Sequence, residues 1–350
     1  MKRKSILFLV VLLIAALTVG MGGCGGNGDS ATSGDADKVY TLRIGTGSGG
    51  RDHQNVFMER IKEELEARSE GQLVVELYPA GQIGNMAQLV QGVQDGSVDS
   101  VCIPTTYFAT VIPEMTILDM PYLWKDAARG TRILMENSTS LDKIIEDAGL
   151  VQAGYIRNAE RLLISNRDLT KVKTLEDLKA MRLKTFCHPS EVIQAEVEAL
   201  GGIYSNIDVG ELTPSLQNKT LDAAMISATL YYPFGVHEVA PYMLMAPRDA
   251  MISVYMINRN YFEGLPEDLQ QLVLDTAREV NDEVFEYAGE YEELCISSML
   301  EEGLTIVEPS PELAQEIRDA CLSVADQFLA KYPEMKDLYE EFKALSAKYE

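Results

Sequence analysis

Residues 93–106, VQDGSVDSVCIPTT, and residues 216–229, LQNKTLDAAMISAT, follow one plan. Each closes a short helical pattern with Gln and then Asp or Asn, turns, and starts an apolar strand at Asp99 or Asp222. Both strands run into small hydroxyl residues: Thr105 and Thr106 in the first copy, Ser227 and Thr229 in the second. The parallel extends upstream. TLRIGTGSGGRDHQNVFMERIKEEL and MRLKTFCHPSEVIQAEVEAL each read as strand, loop and helix, and GQLVVELYPAG and GGIYSNIDVGEL each add a second strand. Matching segments in the same order make a duplicated β-α-β-α-β unit. Runs such as LVVELY and AAMIS have the near-continuous apolarity of buried parallel strands. The expected fold is therefore α/β, with two lobes, each a mostly parallel sheet flanked by helices.

Open parallel sheets bind ligands beyond the carboxyl ends of their strands. That rule points to residues 45–51 and 104–107 in the first lobe, and to 184–190 and 227–231 in the second. Ser48, His53, Thr105, Thr106, Tyr107, Lys184, Phe186, His188, Met225, Ser227 and Tyr231 are the candidate ligand-binding residues of these loops and strand ends. Two of the loops precede helices, whose free N–H groups and dipole favour an anion. An ordinary βα turn is the plainer reading of any one loop, and a lone loop histidine is more often solvated than functional.

Charge adds a second constraint. The chain has 30 basic and 54 acidic residues, a formal net charge of -24, which argues against nucleic acid or anionic lipid as partner of the whole surface. Yet residues 157–184 concentrate Arg157, Arg161, Arg167, Lys171, Lys173, Lys179, Arg182 and Lys184 against only Glu160, Asp168, Glu176 and Asp177. Most such runs are solvated faces. Thr174 followed by Asp177 reads as a capped short helix, leaving Lys171, Lys173 and Lys179 in water. RLLIS and MRLKTF read as strands, and alternation sets Arg182 and Lys184 on one face, Lys184 nearer the carboxyl end. Near the expected strand ends lie Tyr107, Trp124, Phe186, Met225, Tyr231, Tyr232 and Phe234. Core packing explains any one of them; together they suggest an organic acid with an apolar or aromatic body.

The amino terminus reads as an export signal: Lys2, Arg3 and Lys4, an apolar run over residues 6–19, then Gly22-Gly23-Cys24. Residues 1–23 are assigned to the signal and 24–38, rich in Gly, Ser and Asp, to a flexible tether. Cys24 at that junction resembles a lipidated cysteine, which would hold an exported protein at a membrane surface. Cys102, Cys187, Cys295 and Cys321 have no C-x-x-C spacing, and with only His53, His188 and His237 no zinc cluster is expected. A Cys295–Cys321 disulfide is left open. No G-x-x-x-x-G-K-[ST] or G-x-S-x-G run is present, so no cofactor and no catalysis are expected.

Residues 72–124 carry Gln82-Ile83-Gly84-Asn85, the turn at 93–99 and Leu118-Asp119-Met120-Pro121-Tyr122-Leu123. With TLEDLKAMRLK and GELTPSLQNKTLDA, these motifs resemble the dicarboxylate-type solute-binding proteins of tripartite ATP-independent periplasmic (TRAP) transporters, over about residues 39–291. The resemblance implies a periplasmic-binding-protein-like fold with a long interlobe helix, here starting near Pro266. It also implies lobes of residues 39–157 plus 252–291 and 158–251 plus 292–350, with the final segment, 311–350, packed on the second lobe. It implies capture of a small organic acid and delivery to membrane permease subunits, by a monomer or a dimer. The family's ligand arginines fall on Arg161 and on Lys184, where arginine has moved to Arg182; the polar contacts after the third strand become Met225 and Ile226. A ligand-binding accessory to a sensor kinase, or an exported enzyme acting on a small acid, are the alternatives. If Cys24 carries the anchor, radiolabelled fatty acid should be incorporated into the wild-type protein and not into Cys24→Ala, and incorporation into both would remove the anchor.

Overall fold

A computed structural model describes residues 38–349. The signal, the tether up to Asp37 and Cys24 lie outside the described residues. The first repeat runs β1 (Tyr40–Gly45), α1 (His53–Arg68), β2 (Leu73–Tyr78), α2 (Met86–Asp95) and β3 (Ser100–Pro104). Two helices follow, α3 (Ala127–Asn137) and α4 (Thr139–Asp147), then the long strand β4 (Leu150–Ser165) and α5 (Leu175–Met181). The second repeat is β5 (Lys184–Cys187), α6 (Glu191–Ala199), β6 (Ile203–Ser205), α7 (Leu212–Gln217) and β7 (Ala223–Ser227). The chain continues through α8 (Ala228–Tyr231), α9 (Val236–Val239), β8 (Tyr242–Leu244) and β9 (Ala250–Asn258). It ends with α10 (Arg259–Glu263), α11 (Glu267–Glu301), β10 (Thr305–Val307), α12 (Pro311–Lys331) and α13 (Lys336–Lys348).

The strands form a path in the order β2-β1-β3-β9-β4-β7-β5-β6, with β8 and β10 off it. Within each repeat the three strands are parallel, and the repeats occupy opposite ends of the path. Between them β9 runs antiparallel to both β3 and β4, and β4 runs antiparallel to β7. The first part of β4 pairs β9 while its last residues, Arg161 to Ser165, pair β7. The passage from one half to the other is thus made inside a strand.

The duplication is visible in backbone detail. Gly96 and Lys219, at the same position of the two copies, both take the left-handed conformation, with φ of 81° and 63°. Gly does so without strain; Lys219 adopts it against the usual steric cost for a side chain. Asp99 Oδ2 accepts from the Arg43 backbone N–H at 2.8 Å, and Asp222 Oδ2 accepts from that of Lys184 at 3.0 Å. In each copy the aspartate before the third strand ties down the backbone of the first.

The capping expectation at Thr174 holds: its hydroxyl accepts from Asp177 N–H, and the Asp177 carboxylate accepts from Thr174 N–H. Arg182, however, is not in a strand. It ends α5 in the left-handed conformation at φ 46°, so strand alternation with Lys184 does not apply. Lys184 is exposed and opens β5 at its amino end, opposite to the carboxyl-end position expected of it.

Helix α11 has 35 residues, a rod of ~52 Å. It packs against α1 and β4 and, further along, against α8 after the second repeat. Helix α12 packs on α6 and α5, whereas α13 turns back onto α3. The final segment therefore does not rest wholly on the second half; Phe342 fills space beside Trp124, with ring centroids 5.6 Å apart. Cys102, Cys187, Cys295 and Cys321 are all buried free thiols.

Glu292 of α11 lies against Glu160 of β4. Burial, then repulsion from Glu160, raises its carboxyl from 4.5 to about 8. The folded state keeps a proton there that the unfolded chain releases near 4.5. The cost of the group therefore builds as pH rises from about 4.5 to about 8 and is complete above that. Glu292→Gln should be more stable than wild type near about pH 9 and unchanged near about pH 3, as read from urea midpoints.

Candidate functional site

The carboxyl ends of both repeats converge on one cavity of about 580 Å³. Gly47 and Ser48 reach it after β1, Ala80 and Gly81 after β2, and Pro104 and Tyr107 at and after β3. From the second repeat come His188 and Pro189 after β5, the segment from Asn206 to Gly210 after β6, and Ser227 and Thr229 at and after β7. All six parallel strands deliver residues, which is what a parallel repeat does when its side chains and helix starts point the same way.

Four of the residues picked from sequence line this cavity: Ser48, Tyr107, His188 and Ser227. The others lie elsewhere. Thr105 donates to the Ile252 carbonyl at 3.1 Å, holding the first turn after β3 to β9. Trp124 donates to the Leu118 carbonyl at 3.1 Å and packs against Gly130, where a Cβ would come within 2.8 Å of its ring. Met225 packs in the core with Cys187, Ile193 and Val197. Phe186 is buried edge-on to His188, at 6.0 Å between ring centroids. The Tyr231 hydroxyl donates to the carbonyls of Leu162 and Ala224, a knot beneath β7. His53 is fully buried, and burial lowers its pKa. Arg182 and Lys184 are exposed and outside the cavity lining. The aromatic cluster expected at the strand ends is thus largely core, with Tyr107 and Phe234 alone of that group on the cavity wall.

Arg161 is 0% exposed. Its Nη1 donates to Asp249 Oδ1 at 2.7 Å, and its Nη2 donates to Thr106 Oγ1 at 2.7 Å and Asp119 Oδ1 at 3.1 Å. Thr106 in turn donates to Asp119 Oδ1 at 2.8 Å. Burial disfavours the guanidinium charge, but Asp249 and Asp119 outweigh it and hold the group protonated beyond its ordinary range. Glu196 and Arg248 extend the cluster, 4.0 Å apart and both buried. Burial, then repulsion from Asp249, pushes the Glu196 carboxyl well above the usual range. Neither arginine lines the cavity.

Three more cations of the basic stretch have partners away from the cavity. Arg157 lies over the Phe285 ring, Arg167 donates to the Met181 carbonyl at 2.7 Å, and Lys179 lies 3.3 Å from Glu176. Among the described residues that line the cavity the charged side chains are Asp52 and Asp208. His188 is no exception: burial, assisted by Arg161, lowers its pKa to about 3, so it is neutral at pH 7. Its ring stacks edge-on with Tyr107 at 5.4 Å. The polar lining is otherwise hydroxyls and amides, including Gln54, Asn85, Asn158 and Thr229. Sequence reasoning did not single out Gln54, Asn85 or Asn158 as ligand contacts, and took Thr229 only as a hydroxyl at the strand end. Thr229 had a signal, as the repeat counterpart of Thr106; it donates to Asn158 Oδ1 at 3.2 Å. Asn158 had none, because β4 lies outside both repeats.

The family model for bacterial extracellular solute-binding protein, family 7 (DctP), matches residues 46–332. The chain belongs to that family. Among its relatives, the 2,3-diketo-L-gulonate-binding periplasmic protein of Escherichia coli is 25% identical over 302 residues, covering 86% of this chain and 90% of the relative. The ectoine/5-hydroxyectoine-binding periplasmic protein of Ruegeria pomeroyi is 24% identical over 329 residues, covering 91% and 93%. A TRAP periplasmic solute-binding protein of Sulfitobacter with bound β-D-galacturonate superposes with a TM-score of 0.81 at 20% identity, over 87% of this chain and 100% of that one.

Since Arg161 holds the fold rather than facing the cavity, Arg161→Ala should strand Asp119 and Asp249 without a counter-charge. Breaking one partner from a buried ion pair costs about 3–5 kcal/mol. The urea midpoint should fall accordingly in the ligand-free protein, and an unchanged midpoint would contradict the structural role.

Proposed function

We propose that this chain captures a small organic acid in the cavity between its two repeats and hands it to the membrane permease subunits of a TRAP-type transporter. The observation that carries the proposal is the convergence of all six parallel strand ends on one cavity, in a chain of the DctP family. Supporting it, relatives and structural neighbours are named for or hold acids, among them 2,3-diketo-L-gulonate, galacturonate and succinate.

In this reading the lobes are residues 39–157 plus 252–291 and 158–251 plus 292–350, and β4 and β9 serve as the connection between them. A solute held from both sides would favour the closed arrangement by its extra contacts there, and the closed surface would be the one that the permease recognises. The signal would export the protein and Cys24 would keep it at the membrane face. The solute leaves chemically unchanged, so the protein is a binder and not an enzyme.

A thermal-shift screen tests this. A solute at about 100 times its Kd should stabilise the protein by ~2.7 kcal/mol and raise the melting temperature. Mass spectrometry of the released compound should find it unaltered. A screen of uronates, aldonates, dicarboxylates, 2-oxo acids and amino acids that moved the melting temperature nowhere would count against the proposal, as would recovery of a reacted product.

A further inference from the structure

The cavity of an acid-binding protein is expected to offer a cation, and this one offers two carboxylates. We propose that the solute is amphoteric: a carboxylic acid that also carries a cationic nitrogen, with Asp52 receiving the nitrogen. The inference rests on the organic-acid reading given above and narrows it.

Asp52 caps α1 from the first repeat. Its Oδ1 accepts from Gln54 N–H at 2.9 Å. It is 4% exposed, and among the described residues no salt bridge joins it to a lysine or arginine. The basic group beside it is His53, with Nδ1 3.4 Å from Oδ2, and burial keeps that ring neutral. Capping explains the shape of the side chain but not its charge, because Asn caps a helix as well as Asp does. The helix dipole adds only a modest preference for the anion.

A second acceptor stands on the same wall. Gln54 is 3% exposed, its Nε2 donates to Ser48 Oγ at 3.1 Å, and its Oε1 makes no hydrogen bond within the protein. The amide is anchored through its donor to the Ser48 hydroxyl, and its oxygen is buried. Asp208, from the second repeat, lines the cavity as well, its Oδ1 accepting from Gly210 N–H at 3.0 Å. A buried acceptor without a donor is costly, and a buried charge without a counter-charge more so. A ligand ammonium or amidinium would supply the counter-charge that Asp52 lacks within the protein. A dicarboxylate or a uronate would bring more negative charge to a wall already made of acceptors. The carboxylate of an amphoteric acid can face the neutral donors instead, such as the Tyr107 hydroxyl and the Asn85 side-chain amide.

Calorimetric titration of the purified protein decides between the charge classes. The zwitterionic probes are proline, glycine betaine, β-alanine and ectoine; the anionic probes are galacturonate, succinate and L-malate. At least one zwitterion should bind about tenfold or more tightly than every anion, and Asp52→Asn should weaken that zwitterion by about tenfold or more. Because Asn preserves the cap, the ligand-free melting temperature of this variant serves as its folding control. Asp208→Asn, on the exposed side, provides an independent variant that should weaken the same zwitterion less. An anion that binds more tightly than all the zwitterions overturns the amphoteric assignment and leaves the organic-acid function standing. So does a zwitterion whose affinity is indifferent to Asp52→Asn. Binding by neither class overturns the organic-acid function and this assignment with it.

Discussion

The guanidinium of Arg161 sits where β4 passes from pairing with β9 to pairing with β7, and it draws together segments that are far apart in sequence. Thr106 follows the last strand of the first repeat, Asp119 ends the turn at Pro113–Asp119, and Asp249 lies just ahead of β9. Removing so polar a group from water is tolerable only with its hydrogen bonds made and its charge matched. Residues of three segments meet those demands at the two terminal nitrogens, while Nε makes no hydrogen bond, and this fixes the junction of the two sheet halves in one arrangement. Replacing such a cluster with apolar residues need not weaken a fold; breaking it piecemeal does, and that asymmetry makes the junction specific.

The same cluster sets the character of the cavity in front of it. A guanidinium spent on Asp119 and Asp249 has no fork left for a ligand carboxylate. Its field still reaches the wall, where it helps burial to keep His188 unprotonated. What remains on the charged and polar lining of the cavity is a set of hydroxyls, amides, the neutral His188 ring and two aspartates. Selectivity in such a cavity comes from the placement of neutral donors and acceptors, whose mismatch is penalised when water is excluded, more than from gross attraction of charge.

Much of the architecture could be read from the chain. The duplicated β-α-β-α-β pattern is local: strand and helix periodicities and turn residues are written in consecutive positions, so β2 at LVVELY and β7 at AAMIS fall on the runs that announced them. The capping pair Thr174 and Asp177 is local too. From the repeat follows the direction of the strands, and from the direction follows which loops approach a ligand. The segments after β1, β3, β5 and β7 reach the cavity for that reason.

Which side chains face the solute was another matter. A cluster of basic residues is visible in sequence, but whether Arg161 meets a ligand or two aspartates depends on residues 42 and 88 positions away. Lys184 opens β5 instead of lying towards its end because Arg182 ends α5 in the left-handed conformation and the strand starts two residues later. The aromatic side chains near the strand ends divided between core and cavity by packing that no single segment contains. Sequence alone determined the repeat, its strand order of appearance and the end at which a site would lie, because those follow from local geometry. Tertiary structure decided the charge of the site, because electrostatic pairing acts through space between segments that the chain keeps far apart.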